Sequence, residues 1–334
     1  MASKSTLPLF LPLLPLFLQI LIPNSHSAPL SFDFYAASCP AAELIVANTV
    51  RSASAQDPSI PGKLLRLLFH DCFVDGCDGS VLLKGNSTER TDPANQSLGG
   101  FEVIDSAKSV LEIFCPATVS CADILALAAR DAVAFSGGPA TQIPTGRRDS
   151  KSSSAQSVRP NIVDTSFTMA QMGRIFSSKG LSLLDLVVLS GAHTIGSAHC
   201  GAFSDRFESD SKGKLKLVDS ASLDPNYASD LIKKCPAGGD TNPKVTVAND
   251  PQTSNLFDNQ YYRNLVARRG LFQSDSVLVD DERTRRIVEE MAGDQERFFE
   301  AWSGSFVKLA GIGVKTGEGE GEVRASCSAV NGVV

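Results

Sequence analysis

Hydrophobic residues recur along most of this chain every three or four positions, which is the spacing of amphipathic helices. The spacing predicts helices over residues 41–55, 64–72, 101–114, 122–135, 183–189, 228–234, 260–268, 284–291 and 295–309, and another that begins near residue 168. The alternation typical of strands is scarce, and only residues 214–218 indicate a short hairpin arm. Polar stretches at 85–99 and 145–159 indicate surface loops. We therefore predict an all-α fold with long loops and little strand.

One predicted helix, residues 64–72 (LLRLLFHDC), is apolar on nearly every side and should be buried. Arg66, Phe69 and His70 stand at i, i+3 and i+4 and therefore share one face of this helix. Burying a cation and an imidazole on such a helix costs free energy unless a hydrogen-bond partner or a ligand contacts them. Taken alone, these residues fit a satisfied core histidine and an arginine that reaches solvent equally well. The following loop, residues 72–80 (CFVDGCDGS), adds cysteines, carboxylates and glycines.

The composition points to an oxidising compartment and gives no case for a nucleic-acid partner. Of the 334 residues, 43% are hydrophobic, which is enough for a sizeable core, and the net charge is −6. Eight cysteines suggest four disulfides, which would be unusual in a reducing compartment. Lys4, an apolar run over 7–22 and small residues at 25–28 favour a signal peptide, residues 1–27. Prolines interrupt this run and it is short for a membrane span, so we expect no membrane association of the mature chain.

Several further blocks stand in a characteristic order: 118–123 (TVSCAD), 146–149 (GRRD), 189–196 (LSGAHTIG), 257–262 (FDNQYY) and 324–327 (RASC). Together with residues 64–80 they resemble the secretory plant peroxidases, the class III haem peroxidase family, over about residues 30–331. The resemblance implies the haem peroxidase fold, in which helices enclose one haem b within a single domain, residues 28–334. The distal half of this domain would comprise about residues 28–165, and the proximal half about 166–334.

The resemblance assigns roles on the open, distal side of the haem. His70 would take a proton from hydrogen peroxide as a base and return it to the leaving oxygen as an acid. Arg66 would supply a fixed positive charge where the O–O bond polarises, and Phe69 would shape the pocket. Asn95 would accept the remaining N–H of His70 and keep this histidine basic.

A second histidine, His193, follows an apolar run and lies between two glycines. This pattern is typical of a helix end that packs closely against another part of the molecule. This signal is weak on its own. The resemblance implies that His193 is the axial protein ligand of the haem iron. It also implies that Asp275 accepts the other N–H of His193, which raises the basicity of the ligand and disfavours ferrous iron.

The resemblance further implies two calcium ions, each bound by carboxylate, hydroxyl and carbonyl oxygens. The ligands of the distal ion would be Asp71, Val74, Gly76, Asp78, Ser80 and, through water, Glu89. The ligands of the proximal ion would be Thr194, Asp250, Thr253, Leu256 and Asp258. Either acidic loop alone is better explained as a solvated loop. Because each adjoins one of the two histidines in sequence, we expect the ions to brace both sides of the haem.

Cysteine spacing leaves the disulfide connectivity partly open. Cys72 and Cys77 are close enough in sequence to pair locally, whereas the other six cysteines allow several connectivities. The resemblance implies the remaining pairs Cys39–Cys115, Cys121–Cys327 and Cys200–Cys235. Among the N-glycosylation sequons, Asn86 is the expected acceptor, because the sequon at Asn95 should be buried and unused.

The chain departs from the family pattern at one segment. The family usually has Leu-Pro-x-Pro at the haem edge, with a proline carbonyl that contacts phenolic donors, whereas residues 162–165 here are Ile-Val-Asp-Thr. The carbonyl of Val163 is still the expected substrate contact, although the backbone without proline is less constrained. Asp164 is expected to disfavour anionic donors.

The resemblance, together with these observations, implies a secreted, monomeric haem peroxidase of the extracellular space or cell wall, with the vacuole as a less favoured location. It would reduce hydrogen peroxide and oxidise small phenolic donors in one-electron steps, with roles in cell-wall phenolic and lignin oxidation, peroxide removal and the oxidative stress response. One alternative is a hydrolase that uses Ser190 or Ser80, but no nucleophile-elbow pattern supports it. The other is a non-catalytic haem- or calcium-binding secreted protein, which would need His193 but not Arg66 together with His70.

Overall fold

The structure is a computed structural model that describes residues 30–236 and 245–332. The expected signal peptide, residues 1–27, lies outside this part. The described helices are α1 (Ala42–Gln56), α2 (Ile60–Val74), α3 (Phe101–Phe114), α4 (Cys121–Phe135), α5 (Val158–Asn161), α6 (Met169–Ser178), α7 (Leu183–Ser190), α8 (Pro225–Lys234), α9 (Gln260–Val266), α10 (Gln273–Asp280), α11 (Glu282–Gly293) and α12 (Gln295–Ala310). Short 3₁₀ turns include Ser80–Leu82, Glu89–Thr91 and Gly191–Thr194. The described strands are β1 (Ser197–His199), β2 (Phe207–Ser209), β3 (Leu215–Leu217) and β4 (Thr246–Ala248).

The predicted all-α class is confirmed, and the strands form only two small antiparallel pairs, β1 with β4 and β2 with β3. The hairpin arm predicted at 214–218 is β3. The hydrophobic spacing did not predict α10. Its buried positions include Ser274, Asp275 and Ser276 beside Leu278 and Val279, so polar side chains interrupt the apolar stripe that marks most helices.

Helix α4 forms the centre of the N-terminal half and lies against both α1 and α2. Nearly all of its residues are buried, and its alanines Ala126, Ala128 and Ala129 allow neighbouring backbones to approach closely. In the C-terminal half, α7 packs against α11 and α12, and α9 packs against α10 and α11. Helix α2 also contacts α12 and the turn Gly191–Thr194, so it joins the two halves.

Buried charged groups tie the start of α4 to distant loops. The guanidinium of Arg147 lies 2.7 Å from a carboxylate oxygen of Asp123, with both side chains inaccessible to solvent. Tyr35 donates to the other oxygen of Asp123 at 2.6 Å. Asp149 accepts the backbone N–H groups of Cys121 and Ala122, which satisfies donors at the start of the helix. The blocks at 118–123 and 146–149 therefore serve the architecture.

The described part of the chain contains four disulfides. They are the pairs expected from the sequence: Cys39–Cys115, Cys72–Cys77, Cys121–Cys327 and Cys200–Cys235. Such a set is typical of a protein that matures in the secretory pathway. Within residues 30–236 and 245–332, no single helix is long and apolar enough to cross a membrane. One pair, Met169–Ser178 with Leu183–Thr194, passes that test by length and composition only, across a 108° bend.

Candidate active site

His70 lies in the last third of α2, a helix that begins with Pro61 in its first turn and buries leucines on several sides. Its ring is 5% exposed, and its Nδ1 lies 2.6 Å from Oδ1 of Asn95. The amide nitrogen of Asn95 donates to the carbonyl of Glu89 at 2.9 Å, which orients its oxygen toward the histidine. Since Asn95 presents an acceptor, Nδ1 carries the proton, and a neutral His70 has an unprotonated Nε2 that can act as a base.

Arg66 stands one helical turn before His70. Its guanidinium donates to the hydroxyl of Ser97 and to the carbonyl of Ala94, both at 3.0 Å. The side chain is exposed, yet surrounding protein atoms lower the pKa of Arg66 to about 10. Burial and the charge of Arg66, opposed by the bond to Asn95, lower the pKa of His70 to about 3.

Phe69 and Phe73 line α2 beside the histidine. The ring centroid of Phe69 lies 5.7 Å from that of His70 and 4.3 Å from that of Phe73. Phe73 is fully buried, whereas Phe69 is half-buried. Phe69 is thus held by packing on one side and keeps the other side accessible, which fits the pocket-shaping position predicted for it.

His193 lies in the turn that follows α7, and α10 supplies its partner. Its Nδ1 is 2.9 Å from Oδ1 of Asp275, and its side chain is 36% exposed, whereas that of Asp275 is 3% exposed. The ring packs edge-on against Phe272 and Tyr261. Burial opposes ionisation of Asp275, but His193, the N–H of Phe272 and the hydroxyl of Tyr261 hold the pKa of this carboxyl below its usual range. Asp275 is therefore an ionised acceptor for the N–H of His193.

The segments that carry the two histidines meet at their backbones. A Cβ atom on Gly62, in the first turn of α2, would lie 2.8 Å from Cα of Gly196, three residues after His193. The side-chain amide of Asn249, the residue after β4, donates to the carbonyl of Ile195 at 3.3 Å and supports this approach. A side chain on Gly62 would push the two segments apart, so the close approach accounts for glycine there.

The arrangement fits a haem between the two histidines. Each imidazole has Nδ1 held by a side-chain oxygen, and across the described residues neither Nε2 has a hydrogen-bond partner. One nitrogen is thus left for an iron ligand and one for proton transfer. The accessible faces of Arg66 and His193 lie on elements whose other side chains are mostly buried, as they would beside a large planar cofactor.

The segment that replaces the expected proline motif runs close to this site. The carbonyl of Thr165 accepts the N–H of Ser274, the neighbour of Asp275 in α10, at 2.8 Å. Val163 is half-buried against the core. Burial raises the pKa of Asp205, although the charge of Arg206 lowers it; the charge of Asp164 adds a smaller increase.

The side chains predicted for a distal calcium ion are fully buried: Asp71, Asp78, Ser80 and Glu89. Asp71 accepts two backbone N–H groups of the loop, and Asp78 contacts the ammonium group of Lys315. The hydroxyl of Ser80 and one oxygen of Glu89 are buried with no hydrogen-bond partner. Burial and the charges of Asp78 and Glu89 raise the pKa of Asp71 well above its usual value. Burial likewise raises that of Glu89 to about 8. A cluster of buried carboxyl groups and of oxygens without hydrogen-bond partners favours the binding of a cation.

Two backbone carbonyls complete the predicted distal set. The carbonyl of Val74 accepts from the ammonium group of Lys179 at 3.2 Å, and that of Gly76 accepts from the N–H of Asp78 at 2.8 Å. Each carbonyl oxygen has a second lone pair, so these bonds do not prevent it from binding a cation.

The residues predicted for a proximal calcium ion lie together. Thr194 donates to Oδ1 of Asp258 at 3.1 Å and approaches the carbonyl of Leu256 at 3.4 Å. The hydroxyl of Thr253 lies 2.8 Å from Asp250 and 3.2 Å from Asp258. Throughout the described part of the chain, no group of three or more His, Cys, Asp or Glu side chains is arranged to hold a metal ion. Calcium ligation here would therefore depend on hydroxyls and carbonyls beside the carboxylates.

The geometry gives no support to a serine hydrolase. The hydroxyl of Ser190 donates to the carbonyl of Leu186 at 2.8 Å, and that of Ser80 is unpaired. Neither forms the bond to a histidine that would activate a nucleophile. His199 is exposed in β1, and Asn86 is exposed, whereas Asn95 is buried as predicted for an unused sequon.

Sequence reasoning missed one residue of this site. Tyr261 lies within the block at 257–262, and its hydroxyl donates to the same carboxylate that holds His193. No local signal marks it, because Tyr262 beside it is equally apolar and equally buried.

Comparisons with known proteins point to one family. A family model described as peroxidase matches residues 46–294. The chain is 65% identical to Peroxidase 18 of Arabidopsis thaliana over 315 residues, which cover 94% of each chain. It is 63% identical to Peroxidase 46 of the same plant over 316 residues, 95% of each chain. It is 42% identical to Peroxidase 66 over 319 residues, 95% of this chain and 97% of that protein.

Proposed function

Since this chain belongs to the peroxidase family, we propose that its haem lies between His70 and His193, with His193 as the axial ligand of the iron. The chain is a haem peroxidase that reduces hydrogen peroxide and takes electrons from reducing donors. The observation that supports this assignment most directly is the matched pair of hydrogen bonds. Asn95 holds Nδ1 of His70 at 2.6 Å, and Asp275 holds Nδ1 of His193 at 2.9 Å.

When bound, haem supplies the oxidation–reduction chemistry, and the side chains around it handle protons and charge. Nε2 of His70 takes the proton from hydrogen peroxide while Nδ1 keeps its bond to Asn95. The same nitrogen then returns the proton to the outer oxygen, which leaves as water. Arg66, fixed by Ser97 and Ala94, offsets the negative charge that develops as the O–O bond breaks. Asp275 fixes the tautomer of His193 and raises its basicity toward iron.

The test is direct. The purified chain, refolded with haemin and calcium and with its disulfides formed, should have a Soret absorbance band and oxidise guaiacol when hydrogen peroxide is added. A haem-storage protein would give the absorbance band without turnover, and a protein that takes up no haem would exclude the proposal altogether.

We propose small phenolic compounds as the donors, with the carbonyl of Val163 as their contact at the haem edge. The tie between Thr165 and Ser274 supports this placement, because it holds segment 162–165 beside the partner of His193. The carboxylate of Asp164 gives that edge negative charge, so neutral phenols should be oxidised faster than carboxylated ones. We further propose that the protein acts as a monomer in the extracellular space or cell wall, with a glycan on the exposed Asn86. The domain limits predicted from the sequence, a single domain over 28–334 after a signal peptide, remain part of this proposal.

Two calcium ions, one beside each histidine, belong to the same proposal. Removing calcium with a chelator should lower the unfolding temperature by about 5–15 °C and alter the Soret band. The reason is that Asp71, Asp78 and Glu89 would remain buried together without a divalent counter-ion. The measurement is thermal unfolding and absorbance before chelation, after it, and after calcium is restored. A chelated protein with an unchanged spectrum and unchanged stability would contradict the bracing role.

The low pKa of His70 predicts an unusual pH dependence. Only the neutral form accepts a proton from peroxide, and burial beside Arg66 lowers the pKa of His70 to about 3. The rate constant of the peroxide step should therefore stay level from neutral pH down to about 4 and fall as pH approaches 3. Stopped-flow measurements across this range test it, with the Soret band recorded at each pH to exclude unfolding. A fall centred near pH 6.5, the ordinary range of histidine, would contradict it.

A further inference from the structure

One oxygen of Asp275 receives two hydrogen bonds. Nδ1 of His193 lies 2.9 Å from Oδ1, and the hydroxyl of Tyr261 lies 2.8 Å from the same atom. The other oxygen, Oδ2, accepts the backbone N–H of Phe272 at 3.0 Å. The two side-chain donors thus share a single acceptor atom, while the backbone donor has an oxygen to itself.

The position of Tyr261 is fixed by its surroundings. The side chain lies in α9, is 3% exposed, and its ring centroid is 5.9 Å from that of His193. An ionised carboxylate only accepts hydrogen bonds, so the tyrosine hydroxyl must donate.

We propose that Tyr261 is a positioning residue that limits how strongly Asp275 accepts the N–H of His193, and thereby how strongly His193 donates to iron. This inference rests on the proposed assignment of His193 as the iron ligand. A carboxylate oxygen that already accepts one strong donor carries less negative charge for a second. The hydrogen-bond partner of a metal-bound histidine sets the basicity of that ligand. A change at Tyr261 should therefore alter the reduction potential of the metal.

Removing the tyrosine hydroxyl should strengthen the remaining bond from His193 to Asp275. His193 would gain imidazolate character, and the electron-rich ligand would stabilise ferric over ferrous iron. Tyr261→Phe should therefore shift the Fe(III)/Fe(II) midpoint potential to a more negative value. It should also raise the frequency of the iron–histidine stretching vibration of the ferrous protein.

The neighbouring Tyr262 offers a matched control. It is also fully buried in α9, and its hydroxyl donates to the carbonyls of Val187 and Val188 instead of to Asp275. Tyr262→Phe removes the same oxygen from the adjacent residue without touching the partner of His193. Asp275→Asn supplies the opposite case, because a neutral amide is a weaker acceptor and should shift the potential to a more positive value.

The experiment measures the midpoint potential and the resonance Raman spectrum of the four haem-loaded proteins: wild type, Tyr261→Phe, Tyr262→Phe and Asp275→Asn. The proposal expects a negative shift in Tyr261→Phe alone. If Asp275→Asn shifts the potential and Tyr261→Phe does not, or if Tyr261→Phe and Tyr262→Phe shift alike, the role of Tyr261 is overturned while the assignment of His193 stands. If Asp275→Asn leaves both quantities unchanged, the assignment of His193 and Asp275 fails, and the inference fails with it.

Discussion

Replacing His70 with leucine is expected to slow the reaction with hydrogen peroxide by about 100- to 10,000-fold, the range typical of a lost general base. Leucine keeps a buried apolar side chain of similar bulk in α2, where the neighbouring Leu67 and Leu68 are fully buried. The helix should therefore keep its packing, and haem should stay bound through His193. Stopped-flow absorbance at the Soret band, with peroxide in excess, measures the rate constant.

His199→Leu is the matched control for this variant, because it makes the same substitution at an exposed histidine in β1. Its peroxide rate should equal that of the wild type. A His70→Leu protein with an intact Soret band and near-normal peroxide kinetics would refute the assignment of His70 as the base. Asn95→Leu should give a smaller loss, because Nδ1 of His70 would lose its acceptor while Nε2 remains in place.

Replacing His193 with alanine is expected to remove the proposed iron ligand and so to weaken haem binding by more than about 100-fold. Loss of a mere supporting partner typically costs 10- to 100-fold in metal affinity. The Soret band should weaken or disappear after gel filtration, and guaiacol oxidation should fall with it. Asp275 would at the same time lose one of its hydrogen-bond donors while its carboxylate stays buried, which lowers the stability of the folded protein.

Two observations separate ligation from general damage in this variant. Added imidazole should restore part of the Soret band, because the deleted ring leaves a space that the free base fits. Far-ultraviolet circular dichroism should show that haem-free His193→Ala keeps the helix content of the wild type, although it unfolds at a lower temperature because the buried Asp275 has lost a donor. Full haem retention by His193→Ala would mean that another residue binds the iron.

Much of the architecture could be predicted from hydrophobic spacing. Helix α3 begins and ends where the pattern places it, and α4 and α12 agree to within a residue at each end. Helix α10 could not be found in this way. It buries Ser274, Asp275 and Ser276, whose value lies in hydrogen bonds to other segments, and such bonds leave no periodic apolar signal.

The candidate site likewise has features that the sequence predicts and features that only the packing of the chain explains. The sequence alone determined that this chain is helical, rich in cystine and marked by two histidines in peroxidase-like blocks, because these properties depend on local composition and spacing. Local composition and spacing do not decide which acceptor holds each imidazole; the family resemblance names Asn95 and Asp275, and only the tertiary structure supplies the physical reason. The partners lie 25 and 82 residues away along the chain, at Asn95 and Asp275, and only packing brings them within hydrogen-bond distance. The same is true of Tyr261, whose donation to Asp275 depends on how α9 and α10 pack and on no feature of its own neighbours in the sequence.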